Sequence, residues 1–143
     1  MNDNQSPPPV ISVKNLRVHF PIRKGIFGKI QGQVKAVDDV TCSVNKGEMV
    51  ALVGESGCGK TTTAQAILGL THQTSGTIEL AAGPWNTTPV QWHDLDNSGR
   101  KQMRKHLQVV FQDPYSSLDP RMTIASILEE PLIIHHYPKK GTS

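Results

Sequence analysis

The sequence predicts an α/β fold from three observations. Segments 10–20 and 33–44 alternate partly between apolar and polar residues and are rich in Val, as strands are. Two short apolar runs, 49–53 and 107–111, are typical of strands covered on both faces. A glycine-rich loop joins the first run to a segment with helical spacing. These patterns predict an antiparallel β layer followed by the first part of a parallel-sheet core, an incomplete α/β domain.

The N-terminal third of the chain reads as strands separated by turns. Residues 1–9 are polar and Pro-rich, and they predict a disordered leader before the strand 10–20. Residues 21–32 contain Pro, Gly and basic residues and predict a projecting loop. The strand 33–44 follows, and the sequence Asn-Lys-Gly-Glu at 45–48 predicts a turn. The buried strand 49–53 is therefore expected to start directly after a tight turn.

Beyond the glycine-rich loop, helices are expected to alternate with polar connections. Helical spacing from Lys60 to Leu70 places Ala64, Ile67 and Leu68 on one apolar face. A strand is predicted at 75–80, and an irregular segment follows at 81–99, whose Trp85 and Trp92 are expected to pack onto the sheet. A basic helical turn at 100–106 then leads into the strand 107–111 and a loop. The last predicted element is a helix that begins after an N-cap at Thr123 and ends or kinks at Pro131.

Composition restricts the class of protein and of partner. The 15 Lys and Arg residues exceed the 12 Asp and Glu by only three, and they are scattered in pairs, so we expect no nucleic-acid partner. No apolar run approaches the roughly 18 residues of a membrane-spanning helix. The two cysteines, Cys42 and Cys58, are too few for a disulfide framework and indicate a reducing compartment, the cytoplasm.

The loop itself matches the phosphate-binding pattern G-x-x-x-x-G-K-[ST] at every fixed position. It consists of Gly54, Glu55, Ser56, Gly57, Cys58, Gly59, Lys60 and Thr61. Its glycines let successive backbone N–H groups face one concavity, and the following helix directs the positive end of its dipole there. Lys60 is placed to reach the outer phosphates of a nucleoside triphosphate, and the Thr61 hydroxyl is placed to bind Mg²⁺. A turn that merely joins strand to helix would not need this full pattern in this context.

Several segments then resemble one family. The loop "GESGCGKTT", the pair Phe111-Gln112, the segment "FQDPYSSLDPRMTI" with "ILEEPL" after it, and "VKAVDDVTCSVNKGEMVALV" are similar to the ATP-binding subunits of ABC transporters. Within that family they most resemble importers of dipeptides, oligopeptides and nickel. The resemblance covers roughly residues 10–134. It implies a phosphate-loop NTPase fold, the ABC nucleotide-binding domain, with ATP and Mg²⁺ as cofactors.

The resemblance also implies roles for individual residues. Gln112 would approach Mg²⁺ and the attacking water through its amide oxygen, so that Lys60 and Gln112 are the expected catalytic residues. Thr62 would contact the α-phosphate region. Phe20 would stack on adenine, although it also suits a core position and Phe27 competes for the role.

Partners and location follow from the same resemblance. The loop at Gln112 and the helix after it would dock on transmembrane permease subunits. A second ATP-binding subunit would complete a homo- or heterodimer. The protein would then lie in the cytoplasm, peripheral on the inner face of the cell membrane, and energise import through ATP binding and hydrolysis. Its cargo cannot be read from these residues.

The sequence departs from the family pattern after Gln112. No Leu-Ser-Gly-Gly-Gln signature, Asp-Glu strand end or switch histidine follows, so the general base is absent. We therefore expect residues 10–143 to form the N-terminal part of a truncated ABC nucleotide-binding domain. Alone, this part would bind ATP weakly at best and hydrolyse none.

Two alternative functions remain open at this point. In a small phosphate-loop kinase, the strand 107–111 would present Asp113 to Mg²⁺, although Arg121 is the only arginine beyond Arg104 for a lid. In a non-catalytic module, the chain would dock on a permease through residues 112–130 and modulate it.

Overall fold

The computed structural model describes residues 7–24, 29–113 and 118–135. Its regular elements are the strands β1 (Ile11–Lys24), β2 (Lys29–Val44) and β3 (Ser75–Leu80), and the helices α1 (Lys60–Ile67), α2 (Asn97–His106) and α3 (Ile124–Ile134). A short 3-10 helix spans Gly83–Trp85. The chain divides into two compact units, Met1–Asp96 and Asn97–Ser143.

The first unit is built on an antiparallel sheet with strand order β2-β1-β3. β1 and β2 form a long hairpin whose register runs from Ile11 opposite Val44 to Lys24 opposite Lys29. The pairing shifts near Asn15 and Asp39, which both adopt positive φ angles, of 51° and 66°. The Asn15 amide group donates a 2.9 Å hydrogen bond to Asp39 Oδ1, which stabilises this irregularity across the two strands.

Side chains of the sheet form most of the buried core of the first unit. Its largest fully buried side chains are Val13, Leu16 and Val18 of β1 and Ile78 and Leu80 of β3. Burial of such side chains contributes about 1.5–3 kcal/mol each, which makes β1 the strand on which the unit depends most. The predicted antiparallel layer is therefore confirmed, and the strand predicted at 75–80 coincides with β3.

The prediction of a loop at 21–32 is wrong for residues 21–24 and 29–32, which the structure describes, because β1 continues to Lys24 and β2 begins at Lys29. Pro21 was one reason to expect a loop, since proline cannot donate to a sheet ladder. β3 pairs with β1 only as far as Arg17, so Pro21 faces a neighbouring strand on one side alone. The predicted leader falls partly outside the described residues, and residues 7–9 carry no regular structure.

The two predicted buried strands, 49–53 and 107–111, are not formed, although the structure describes both segments in full. Met49 and Val53 are 96% and 85% exposed, and Val110 is 96% exposed. A strand has no hydrogen bonds of its own and depends on neighbouring strands for its stability. Within the described residues no strand pairs with either segment, so their apolar side chains remain uncovered.

The helices differ from expectation mainly at their ends. α1 stops at Ile67 and buries Thr63 and Ala66, whereas Ala64, which was expected on the apolar face, is exposed. The Trp92 indole N–H donates to the Ile67 carbonyl at 2.8 Å and its ring lies close to Gly69, so this side chain packs on the end of α1. The turn predicted at 45–48 is confirmed by a 3.1 Å hydrogen bond from the Glu48 N–H to the Asn45 carbonyl.

In the second unit, α2 begins at Asn97 and so includes the predicted basic turn. Thr123 is the N-cap of α3 as predicted, and its hydroxyl accepts a 3.2 Å hydrogen bond from the Ser126 N–H. The helix does not end at Pro131 but continues to Ile134, so Pro131 lies inside it. A proline there removes one backbone hydrogen bond and crowds the carbonyl four residues earlier, so a kink at this residue stays a prediction. None of the helices in the described ranges combines the length and apolarity needed to cross a membrane.

Candidate nucleotide-binding site

The predicted phosphate loop joins the segment 49–53 to the first turn of α1. Gly57 and Gly59 adopt positive φ angles of 81° and 96°, which turn the backbone sharply ahead of the helix. Gly59 is the N-cap of α1 and has no side chain that could accept from the helix N-terminus. The first N–H groups of a helix have no partner inside it, so those of Lys60, Thr61 and Thr62 are available to an anion.

The loop is anchored to the sheet by a close backbone approach. Any Cβ atom at Gly59 would overlap the Ala36 carbonyl oxygen of β2, and it would also touch the Val37 side chain at 3.5 Å. The buried Thr63 hydroxyl donates a 3.0 Å hydrogen bond to the Gly59 carbonyl. Glycine at this position therefore lets the start of α1 rest directly on β2.

The Lys60 ammonium is folded back over the loop. It donates to the Gly54 carbonyl at 2.8 Å and to the Glu55 carbonyl at 2.6 Å, and it lies 3.5 Å from Cys58 Sγ. An ammonium has three donors, so the loop itself satisfies this cation. A polyphosphate would have to exchange places with these neutral acceptors, and a charged acceptor forms the stronger hydrogen bond.

A cavity of about 330 Å³ lies beside the loop, at the lower end of the usual size of ligand pockets. Its apolar wall consists of Ala36, Val37, Val40, Leu52 and Val53. The loop and α1 contribute Cys58, Gly59, Lys60 and Thr63, while Lys35 and Asp38 of β2 supply opposite charges. Such a cavity can hold a group with an apolar face that is attached to an anion.

Asp38 is the centre of a charged cluster at this cavity. Its carboxylate lies 3.1 Å from Lys35 Nζ, 3.6 Å from Arg17 Nε and 3.5 Å from His19 Nε2. The hydrogen bond from Lys35 lowers the pKa of the Asp38 carboxyl, and His19 lowers it further, although partial loss of hydration opposes both. Asp38 is therefore ionised at neutral pH, and its ion pairs with Lys35 and Arg17 weaken when the pH falls below the ordinary carboxyl range.

The other predicted loop residues are accessible. Glu55, Ser56, Cys58 and Thr61 are exposed, and Thr62 is half-buried in the first turn of α1. The Thr61 hydroxyl is a hard oxygen donor of the kind that Mg²⁺ prefers. The described residues contain no cluster of three or more His, Cys, Asp or Glu side chains that could hold a metal ion.

Phe20 and Gln112 are not brought to this cavity by any described contact. Phe20 lies opposite Val34 in the hairpin, is 44% exposed and is not among the described residues that line the cavity. Gln112 is exposed and belongs to the second unit. The roles of both residues remain predictions. Phe27 lies outside the described residues, and the kinase alternative loses the strand that was to present Asp113.

Sequence reasoning missed the contribution of β2 to the site. Lys35 and Asp38 lie some twenty residues before the loop, and neither belongs to a phosphate-binding pattern. The sequence signal for them is weak, because opposite charges within a strand that alternates partly between apolar and polar residues are common on a solvated face. Only the fold brings these two residues next to the loop, through the close contact between Gly59 and Ala36 of β2.

The Gly59 contact leads to a stability prediction. We expect Gly59→Ala to destabilise the chain more than Gly57→Ala does, when both are measured by urea unfolding. Both substitutions force alanine into a positive φ, which costs about 1–2 kcal/mol. At Gly57 nothing lies within 4 Å of the added methyl group, whereas at Gly59 the Ala36 carbonyl must also move. Equal losses for the two variants would contradict the anchoring of the loop on β2.

Comparison with known proteins places the chain in a family. A family model for ABC transporters matches residues 37–140, well over half of the chain. The chain is 40% identical over 128 residues to the glutathione import ATP-binding protein GsiA of Pectobacterium atrosepticum, a match that covers 90% of the chain and 19% of that protein. It is 41% identical over 131 residues to the oligopeptide transport ATP-binding protein AppF of Bacillus subtilis, covering 89% of the chain and 37% of that protein.

A third relative is the dipeptide transport ATP-binding protein DppF of Haemophilus influenzae. It is 38% identical over 134 residues, covering 94% of the chain and 38% of that protein. The chain thus spans less than two fifths of the length of each of these relatives. With the phosphate loop inside the matched range, the chain belongs to the ABC transporter family and carries part of its nucleotide-binding domain.

Proposed function

We propose that this chain is the nucleotide-binding part of the ATP-binding subunit of an importer that takes up peptides. The observation that carries the proposal is the loop from Gly54 to Thr61, which presents free helix N–H groups and a lysine beside a cavity of about 330 Å³. The names of the relatives support the class of cargo, since all three import peptides or glutathione, itself a small peptide.

The chemistry of the loop is phosphate binding. The N–H groups at the start of α1 and the Lys60 ammonium supply hydrogen-bond donors and positive charge where the β- and γ-phosphates would lie. Val37, Val40 and Leu52 form an apolar wall along one side of the cavity. Both features bind the ligand and orient its polyphosphate chain.

Thr61 is the residue of the loop that would hold Mg²⁺. Its exposed hydroxyl stands at the second position of α1, next to Lys60. The metal would neutralise charge on the phosphate oxygens as the terminal phosphate departs. Gln112 is proposed as a further ligand only on the resemblance, since it belongs to the other unit.

The second unit is proposed to serve the coupling to transport. Ile124, Leu128 and Leu132 recur at every fourth residue of α3 and are 78%, 68% and 51% exposed. A helix with such an exposed apolar face favours contact with another protein. We assign this face to the permease subunits of the importer, and ATP hydrolysis to the assembled transporter with its two ATP-binding subunits.

The first test concerns Lys60. Lys60→Ala is expected to weaken MgATP binding by about ten-fold or more, because a hydrogen bond to a charged group is worth about 1.5–3 kcal/mol. Binding to the full chain is measured by titration with NMR detection, which is suited to weak affinities. Lys46→Ala removes an exposed lysine from the turn after β2 and serves as the control. If both variants bind MgATP as tightly as the unaltered chain, the loop is not the nucleotide site.

The second test concerns Thr61. We expect Thr61→Ala to remove most of the gain in ATP affinity that Mg²⁺ produces, while affinity for ATP in the presence of EDTA is unchanged. Thr61→Ser keeps the hydroxyl and should keep the gain. An undiminished response to Mg²⁺ in Thr61→Ala would show that the metal is held elsewhere.

A further inference from the structure

A second lysine faces the proposed nucleotide cavity. Lys35 and Lys60 both line it, although they come from different elements, β2 and the start of α1. Lys60 is part of the phosphate-loop pattern, whereas Lys35 is not. Lys35 Nζ donates a 3.1 Å hydrogen bond to Asp38 Oδ2, and the Lys35 side chain is 61% exposed.

The bond between Lys35 and Asp38 is easily exchanged. Exposed ion pairs contribute little to stability, because water solvates both charges and the long side chains lose entropy when they are held. Arg17 Nε and His19 Nε2 also lie near the Asp38 carboxylate, at 3.6 Å and 3.5 Å. Arg17 therefore keeps positive charge near Asp38 if Lys35 turns away from it.

A nucleoside triphosphate would compete strongly for Lys35. It carries several negative charges, and each phosphate oxygen accepts hydrogen bonds from an ammonium group. The lysine side chain has a flexible four-carbon stem, which lets its ammonium change partners without movement of β2. Asp38, in contrast, repels the same phosphates from the edge of the cavity.

We propose that Lys35 is a second phosphate-binding residue of this site and that Asp38 holds it until a polyphosphate enters. The proposal rests on the proposed function, since it assumes that the nucleotide occupies the cavity beside the loop. Lys35 then adds affinity for polyphosphate, and Asp38 lowers that affinity by competing for Lys35. The pair thereby raises the preference of the site for ligands with several phosphates over those with one.

Two substitutions separate this role from a structural one, because their effects have opposite signs. Lys35→Met should weaken binding of MgATP by about two- to five-fold, whereas Asp38→Asn should strengthen it by a similar factor. If the ion pair merely stabilised β2, both substitutions would weaken binding alike. Lys35→Arg keeps the charge and should retain most of the affinity.

The chain offers a matched control pair on another part of the sheet. Lys14 Nζ lies 3.1 Å from Glu79 Oε2, and these side chains are 59% and 34% exposed. Neither residue is among the described residues that line the cavity. Lys14→Met and Glu79→Gln remove a similar ion pair and should leave MgATP affinity unchanged.

The experiment measures the affinity of the full chain and its variants for MgATP, for AMP and for inorganic tripolyphosphate, with thermal unfolding as a check on folding. The expected result is a change in opposite directions for Lys35→Met and Asp38→Asn that is larger for MgATP and tripolyphosphate than for AMP. Changes of the same sign, or none in either variant, would overturn the proposal. If Lys35→Met fails to fold, Asp38→Asn and Lys35→Arg still decide it, since a loss of affinity in Asp38→Asn contradicts it.

The Lys60→Ala variant distinguishes a failure of the proposal for Lys35 and Asp38 from a failure of the proposed function. If Lys60→Ala loses binding while Lys35→Met and Asp38→Asn do not change it, only the role of Lys35 is wrong. If Lys60→Ala binds MgATP normally, the nucleotide lies elsewhere and both proposals fall.

Discussion

The site depends on one close contact, in which the backbone of Gly59 lies against the Ala36 carbonyl of β2. This contact places the N-terminus of α1 on the edge of a sheet whose buried core fixes the position of β2. Within α1, Thr63 donates to the Gly59 carbonyl and so fixes the first turn of the helix. Because the contact joins loop and strand, the proposed binding site is made from both, and the charges of β2 would reach a ligand held by the loop.

A second feature of the site is that its cations already have partners. Lys60 donates to carbonyls of its own loop, and Lys35 donates to Asp38. A ligand therefore does not meet bare charges but exchanges with acceptors that the chain supplies. Such an arrangement favours ligands that bring enough negative charge to displace both sets of acceptors.

Local patterns predicted local features well. The glycine-rich turn before α1, the Thr123 cap and the strand at 75–80 follow from residues that lie within a few positions of each other, and the structure contains all three elements. The apolar runs at 49–53 and 107–111 could not be decided in this way, because burial of a strand depends on partners that are distant in sequence. The contribution of Lys35 was missed for the same reason, since only the fold brings β2 to the loop. The fold class itself is supported by the match to ABC transporters, while the roles of Phe20 and Gln112 stay predictions.

The most direct test of the central claim is an amide NMR titration of the full chain with MgATP. The account predicts that the largest shift changes occur at the backbone N–H groups from Gly57 to Thr62, with smaller changes on β2 from Lys35 to Asp38, because these groups surround one cavity. Changes confined to other parts of the chain, or changes in the loop without any on β2, would contradict a site built jointly from the loop and the strand.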